Sequence, residues 1–166
     1  MMIEKSLTLN DGRAIKIRQL SSEDDQDLSE MFREMSEETI KRVKIPSEEE
    51  LYQKFRFPDY FIGVVLEHDS KIVGYGEVMK DPEKEDGELQ IVINQDFQGV
   101  GLGTALMIML LKEATDQGIR RINLEVSSDN RIAIHLFRKF GFQQEEDVER
   151  LGFSSETLHF TKTLNK

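Results

Sequence analysis

A mixed α/β fold, one sheet with helices on both faces, is what the sequence predicts, and three observations carry it. Two strand-like runs, residues 60–67 and 71–79, flank the short loop His68-Asp69-Ser70, the pattern of a β-hairpin. Segments with the 3.6-residue period of a buried helix face alternate with short strand-like runs along the rest of the chain. Halfway along, a glycine-rich turn over residues 98–103 joins a strand to a long apolar helix.

The elements follow in order. Residues 14–18, Ala-Ile-Lys-Ile-Arg, alternate like a half-buried strand after the turn signal Asn10-Asp11-Gly12. Ser21 or Ser22 caps a helix whose acidic first turn suits the helix dipole and whose Leu28, Met31, Phe32 and Met35 share one face. A second helix starts at Pro46-Ser47-Glu48 and runs toward Phe55, while residues 36–45 give no clear period. After the hairpin, residues 81–87 carry four acids, a lysine and a proline and form a solvated turn leading into a strand over 88–93. Residues 104–115 are apolar almost all round, a helix buried against a sheet that Gly118 closes. A strand over 122–126 comes next, then a helix capped by Asp129 or Asn130 with Ile132, Ala133, Leu136, Phe137 and Phe140 inward, ended by Gly141. Strands over 142–149 and 157–163 complete the chain.

At 166 residues the chain suits one domain, 1–166, with a core that needs neither disulfides nor a structural metal. There is no cysteine, and the three histidines lack close metal-ligand spacing, so no metal is expected. A net charge of −10 works against phosphate backbones and anionic lipid, which excludes nucleic acid and membrane as expected partners and is compatible with a cationic substrate. No run is long and apolar enough for a membrane span, and the first residues lack a secretory signal pattern, so the expected compartment is cytoplasmic.

The turn Gln98-Gly99-Val100-Gly101-Leu102-Gly103-Thr104 carries the chemistry. Glycines between a strand and a helix let backbone N–H groups converge on an anion with no Cβ in the way. A tight corner that binds nothing is the plain alternative. Two other phosphate motifs fail here: Thr104 stands where a dinucleotide fold needs its third glycine, and no lysine follows Gly103 as a nucleotide triphosphate loop requires.

Gln98, Gly101 and Gly103 meet the pattern Gln/Arg-x-x-Gly-x-Gly/Ala, and residues 130–142, from Asn130 through Ala133 and Phe137-Arg138-Lys139 to Gly141-Phe142, supply a second signature. With these two motifs the chain resembles the GNAT superfamily of N-acetyltransferases, and the likeness runs over nearly its whole length. The opening stretch around Arg13 and residues 35–39 is faintly similar to bacterial protein lysine acetyltransferase domains. The resemblance implies a mixed, mostly antiparallel central sheet flanked by helices, and transfer of an acetyl group from acetyl-CoA to a small-molecule or peptide amine in a ternary complex, with coenzyme A as product. It implies that the amides of Gln98, Gly99, Val100, Gly101, Leu102, Gly103 and Thr104 hold the pyrophosphate at the helix N-terminus. It further implies that the strand backbone at Ile91, Val92 and Ile93 pairs with the pantetheine arm, that the N–H of Ile93 polarises the thioester carbonyl, and that Asn130 bonds the arm near its sulfur. As a plain helix N-cap, Asn130 needs no ligand, and the two roles are compatible.

An alkyl amine is protonated at neutral pH, so a base must take its proton. Glu88 stands where several lysine acetyltransferases of the superfamily carry theirs, with Glu77 second and Glu125 third; on its own, a glutamate after a glycine at a strand start is more often a solvated edge residue. The departure is Phe137, where many members have a tyrosine that protonates the leaving thiolate. A thiol near pKa ~8.5 leaves without strong acid help, and Ser127, Ser128 or Tyr75 are substitutes to test in space. A module that binds or senses acetyl-CoA without catalysis is the alternative that Phe137 motivates. The family's habit of pairing edge to edge makes a homodimer the expected assembly.

Overall fold

The computed structural model describes residues 4–41, 46–81, 83–145 and 157–164. In chain order these form β1 (Lys5–Thr8), β2 (Ala14–Gln19), α1 (Asp25–Glu34), α2 (Glu37–Lys41), α3 (Glu48–Arg56), β3 (Phe61–His68), β4 (Lys71–Asp81), β5 (Asp86–Ile93), α4 (Leu102–Asp116), β6 (Arg121–Ser127), α5 (Arg131–Lys139), β7 (Gln143–Gln144) and β8 (Thr157–Thr163). One sheet runs β1-β2-β3-β4-β5-β6-β8-β7. Every pair is antiparallel except β5 with β6. The predicted mixed sheet with helices on both faces is therefore observed, and so is its antiparallel majority.

Strand alternation assigns the two faces. On β4 and β5, Tyr75 stands opposite Val92 and Glu77 opposite Gln90 in register, so these side chains share a face. Tyr75 and Val92 pack there with Leu28, Met31 and Phe32 of α1 and Leu51 of α3. The other face carries Val78, Leu89 and Ile122 against Leu106, Met107 and Leu110 of α4. These three α4 residues are fully buried, each contributing about 1.5–3 kcal/mol from removal of apolar surface from water.

Several elements differ from the sequence expectation. β1 was not anticipated, because Lys5-Ser6-Leu7-Thr8 is too short to show a period; it is recruited as the outer partner of β2 around the Asn10–Gly12 turn. The unassigned stretch after Ser36 contains α2, one short helix with no buried residue and hence no apolar face to read. α4 begins at Leu102 rather than Thr104, and Ile108 is exposed on it, so the helix is not apolar to the core all round. β7 covers only Gln143–Gln144, and the predicted strand's far part, 146–149, lies outside the described residues. Among the described residues no helix is long and apolar enough to cross a membrane.

Candidate active site

The site begins with a gap in the sheet. The parallel ladder of β5 and β6 ends at Glu88 opposite Asn123, after three registered pairs. Beyond it β6 pairs only with β8. The N–H of Asn94 donates to the carbonyl of Val73 at 2.9 Å. Strand alternation then turns the N–H groups of Ile93 and Ile91 to the opposite edge, into the gap. An extended polar chain entering there finds unpaired strand edge, as an added strand would.

Below the gap the turn is held rigidly. Gln98 donates through Nε2 to the Ile93 carbonyl at 2.9 Å, and Asn94 Oδ1 accepts from the Asp96 N–H at 2.9 Å. Arg13, on the β1–β2 turn, donates to the Asp96 carbonyl at 2.8 Å while its guanidinium lies 4.3 Å from the Phe97 ring centroid. Gly99 and Gly101 have φ of 75° and 88°, in the left-handed region, and a Cβ on either would meet nothing within 4 Å. Gly101 is also the N-cap of α4 and offers no side chain to the first helical N–H groups, which by construction lack intrahelical partners. No acidic residue stands in that first turn to compete for the dipole. Gly103 is different from its neighbours: it has ordinary helical geometry, and its missing Cβ makes room for Leu136 Cδ2, which would sit 2.9 Å away. The glycine thus brings α5 close to α4.

α5 closes the cleft. Asn130 Oδ1 accepts from the Ala133 N–H at 3.3 Å, an N-cap bond that leaves its NH₂ to donate. The resulting cleft, about 260 Å³, is bounded by Ile91, Val92 and Ile93, by Phe97, Gln98, Gly99, Gly101, Gly103 and Thr104, and by Asn130, Leu136 and Phe137. Among the expected residues Val92 contributes through backbone only, since its side chain is buried on the far face with Tyr75. Leu102 is core, and Val100 is exposed beside the cleft without lining it, so both offer N–H groups alone. Ile132, expected inward, is 66% exposed and borders the cleft instead. Sequence reading missed His135 and Lys139, which join Ile132 and Leu136 on this side of α5, and Thr39 of α2. The signal was present for α5: three- and four-residue steps on from Asn130 and Ile132 mark one helix face.

Phe137 is buried, with its ring centroid 5.9 Å from that of Phe142. None of the three substitutes for its missing hydroxyl lines this cleft. Ser127 Oγ is bonded to Asp129 Oδ1 at 2.6 Å. Tyr75 is fully buried and donates to Glu77 Oε2 at 2.8 Å. Burial, and then the neighbouring Glu77 charge, push the Tyr75 phenol well above its ordinary value, so it is held protonated as a donor.

On the sheet's other face a second cleft of about 630 Å³ lies between α3 and strands β4 and β5. Aromatic Phe57, Tyr60 and Phe61 and the thioether of Met79 wall it. Glu88 is exposed at its edge, opposite Met79 in register, and also borders a further cleft that contains Glu125. Glu77 is deeper, 5% exposed, and forms an ion pair with Lys54 of α3. The three acids considered as bases are thus separated: Glu77 is paired and buried, while Glu88 and Glu125 are open.

Both clefts meet along β5, an N–H-lined gap over an anion cradle on one side and a carboxylate-bearing trough on the other. That defines a protein with two clefts on opposite faces of one sheet, joined along a single strand. The family profile described as the acetyltransferase (GNAT) family matches residues 28–142, and the chain belongs to that family. It is 30% identical over 146 residues to the uncharacterized N-acetyltransferase YjgM of Escherichia coli (strain K12), covering 85% of this chain and 81% of that one. Its likeness to the mycothiol acetyltransferase of Cellulomonas flavigena, 37% over 62 residues, covers 37% of this chain and spans only 18% of that enzyme's length. In fold it resembles the GNAT domain of S. lividans PAT, at 18% identity, a TM-score of 0.82 and 97% of both chains. It also resembles a spermidine N-acetyltransferase from Vibrio cholerae solved with CoA and spermine, at 22% identity, a TM-score of 0.72, and 90% and 95% coverage of this chain and that one.

Proposed function

We propose that the chain is a single N-acetyltransferase domain, 1–166, that moves the acetyl group of acetyl-CoA to a primary amine by direct attack within a ternary complex. The observation that carries this reading is the open edge of β5 leading straight to the backbone turn of Gly99 and Gly101, where no Cβ stands over the N–H groups. The residues present fit the cosubstrate: N–H donors and a helix N-terminus suit the pyrophosphate, and the gap suits an amide-bearing arm. When bound, acetyl-CoA supplies an activated acyl carbon with a thiolate leaving group.

The chain's own residues do the rest. N–H groups from Gly99 to Thr104 hold the phosphates, Ile91 and Ile93 align the arm, and the Ile93 N–H donates to the thioester oxygen. Asn130 supplies its NH₂ near the sulfur. Glu88 takes the proton that the amine sheds as the new N–C bond forms and the C–S bond breaks. Ile93 lies five residue steps along the strand from Glu88, about 16 Å between Cα atoms at ~3.3 Å per residue, so this transfer runs through intervening water. Glu77, whose Oε2 already holds an ammonium and a phenol, has less freedom to accept it. The thiolate departs without a protein hydroxyl at Phe137. That same phenylalanine favours a second reading, an acetyl-CoA binding module with weak or no turnover.

Release of free thiol from acetyl-CoA, followed across a panel of amines in parallel with the Glu88→Gln protein, tests the first reading against the second. Turnover with any amine establishes the enzyme. Saturable acetyl-CoA binding without turnover over the whole panel supports the sensing module, and absence of binding removes both.

A further inference from the structure

The trough on the α3 side contains a polar group whose arrangement the transfer reaction does not explain. Glu77 is 5% exposed, and both hydrogen bonds described for it, from Lys54 Nζ and from Tyr75 Oη, go to the same oxygen, Oε2. No described bond uses Oε1, although Glu77 lines the trough. A buried carboxylate with one open oxygen is costly unless something donates to it. Lys54 shows what kind of donor the site accepts: a primary alkylammonium, its side chain only 10% exposed and its Nζ 5.7 Å from the Phe61 ring centroid.

The walls extend the same chemistry. Phe57, Tyr60 and Met79 are exposed apolar surface along the trough, at 47%, 45% and 36%, which suits a methylene chain. Among the described residues four glutamates, 49, 50, 77 and 88, line it against one cation, Lys54. An acceptor with a carboxylate at its far end would meet acids and an ammonium already engaged. One with a second ammonium would meet Glu77 Oε1.

We propose that Glu77, braced by Lys54 and Tyr75, is the specificity-determining residue of the acceptor trough and receives the non-reacting ammonium of a small alkyl α,ω-diamine. Glu88 is diagonal to Glu77 across β4 and β5, about 7–8 Å between Cα atoms. Glu77 stands opposite Gln90, three residue steps or about 10 Å from Ile93 at ~3.3 Å per residue, so a diamine spacer of a few methylenes holds one nitrogen on Glu77 while the other points along β5 toward the Ile93 end, with Glu88 behind it as the water-linked base. The inference rests on the acetyl-transfer reading for the direction of the acceptor, but its binding step is measurable without turnover.

The test is calorimetric titration of the full chain, saturated with coenzyme A, by three ligands of equal length that differ only at the far end: 1,5-diaminopentane, n-pentylamine and 5-aminopentanoate. A charge-assisted hydrogen bond to a partly buried carboxylate corresponds to a roughly 10- to 100-fold tighter Kd for the diamine over the monoamine, with the zwitterion weakest. Glu77→Gln is expected to erase that ratio through the diamine's Kd while coenzyme A affinity holds. Lys54→Gln, which removes the internal competitor for the same carboxylate, is expected to tighten the diamine instead. The opposite signs separate recognition from a structural role, which would weaken both proteins alike; the Lys54 variant also keeps the test alive if Glu77→Gln does not fold. An equal Kd for diamine and monoamine in the wild type, or a diamine Kd indifferent to Glu77, overturns the proposal. Diamine binding without thiol release from acetyl-CoA for any amine of the panel leaves the specificity site standing and removes the enzyme reading. Turnover confined to monoamines or peptide amines does the reverse.

Discussion

Gly101→Ala separates a glycine that merely turns the chain from one that leaves room for a ligand. Gly101 sits at φ 88°, ψ 3°, where an L-residue costs about 1–2 kcal/mol in backbone strain. The added methyl meets no protein atom within 4 Å, so no clash adds to that figure. For a chain of 166 residues the melting temperature should fall by roughly 2–8 °C. On the proposed reading a phosphate oxygen approaches the backbone in this same space, so the methyl would displace one charge-assisted hydrogen bond, worth about 1.5–3 kcal/mol. Acetyl-CoA binding is then expected to weaken roughly 10- to 150-fold. Calorimetry with acetyl-CoA, thermal melting, and a parallel titration with pantetheine, which lacks the pyrophosphate, give the complete comparison. Pantetheine affinity should not change. If Gly101→Ala binds acetyl-CoA like the wild type while melting earlier, the glycine serves the turn alone and the cradle assignment fails.

Glu88→Gln should leave stability unchanged, because the residue is exposed, and should lower kcat/KM by roughly 10²–10⁴ at neutral pH; the deficit narrows as pH rises toward the amine's own pKa, read from a pH–rate profile. Phe137→Tyr places a hydroxyl in the cofactor cleft, and kcat should rise up to roughly tenfold, most at pH below the thiol's pKa, with no gain in acetyl-CoA affinity. Asp24→Asn removes a carboxylate held by two 2.8 Å bonds from Arg18 and one from the Ser21 N–H, costing about 2–3 kcal/mol in urea unfolding at pH 7. Burial pushes Asp24 up, but Arg18 and the Ser21 N–H together hold it below its ordinary value. A lowered native pKa contributes stability above the unfolded value and loses it as pH falls through the native one, so the gap between wild type and variant should close below about pH 4.

Local chemistry made part of this site legible and distance hid the rest. The turn could be read from residues 98–104 because its shape lies in backbone conformation, and left-handed φ at Gly99 and Gly101 is what a glycine announces. Gly103 belonged to the same motif for another reason, contact with Leu136 thirty-three residues on, which no local pattern expresses. The cap at Ser21, read as Ser21 or Ser22, the helix start around Ser47, and the cap at Asn130, read as Asp129 or Asn130, were visible for the same local reason. Lys54, by contrast, looks like one more charge on an exposed helix, and its burial against Glu77 depends on where α3 lands on β4. Tyr75 was weighed as a proton donor to a thiolate, but register places it opposite Val92 under α1, on the face away from Phe137.

The deeper regularity is that one strand presents different groups to two clefts through its period of two. On β5 the side chains of Glu88 and Gln90 face the α3 trough, those of Ile91 and Ile93 face α4, and the N–H groups of the latter pair enter the gap between the sheet's halves. Slipping the register by one residue would put Glu88 among the side chains of α4 and aim the Ile93 amide back at β4. Antiparallel pairing with β4 over eight positions, Gly74 to Asp81, forbids that slip. The parallel partner β6 needs only three pairs, because its task is to leave. A variant that extended the β5–β6 ladder past Glu88 would be a more regular sheet and would close the edge on which the cosubstrate is proposed to bind.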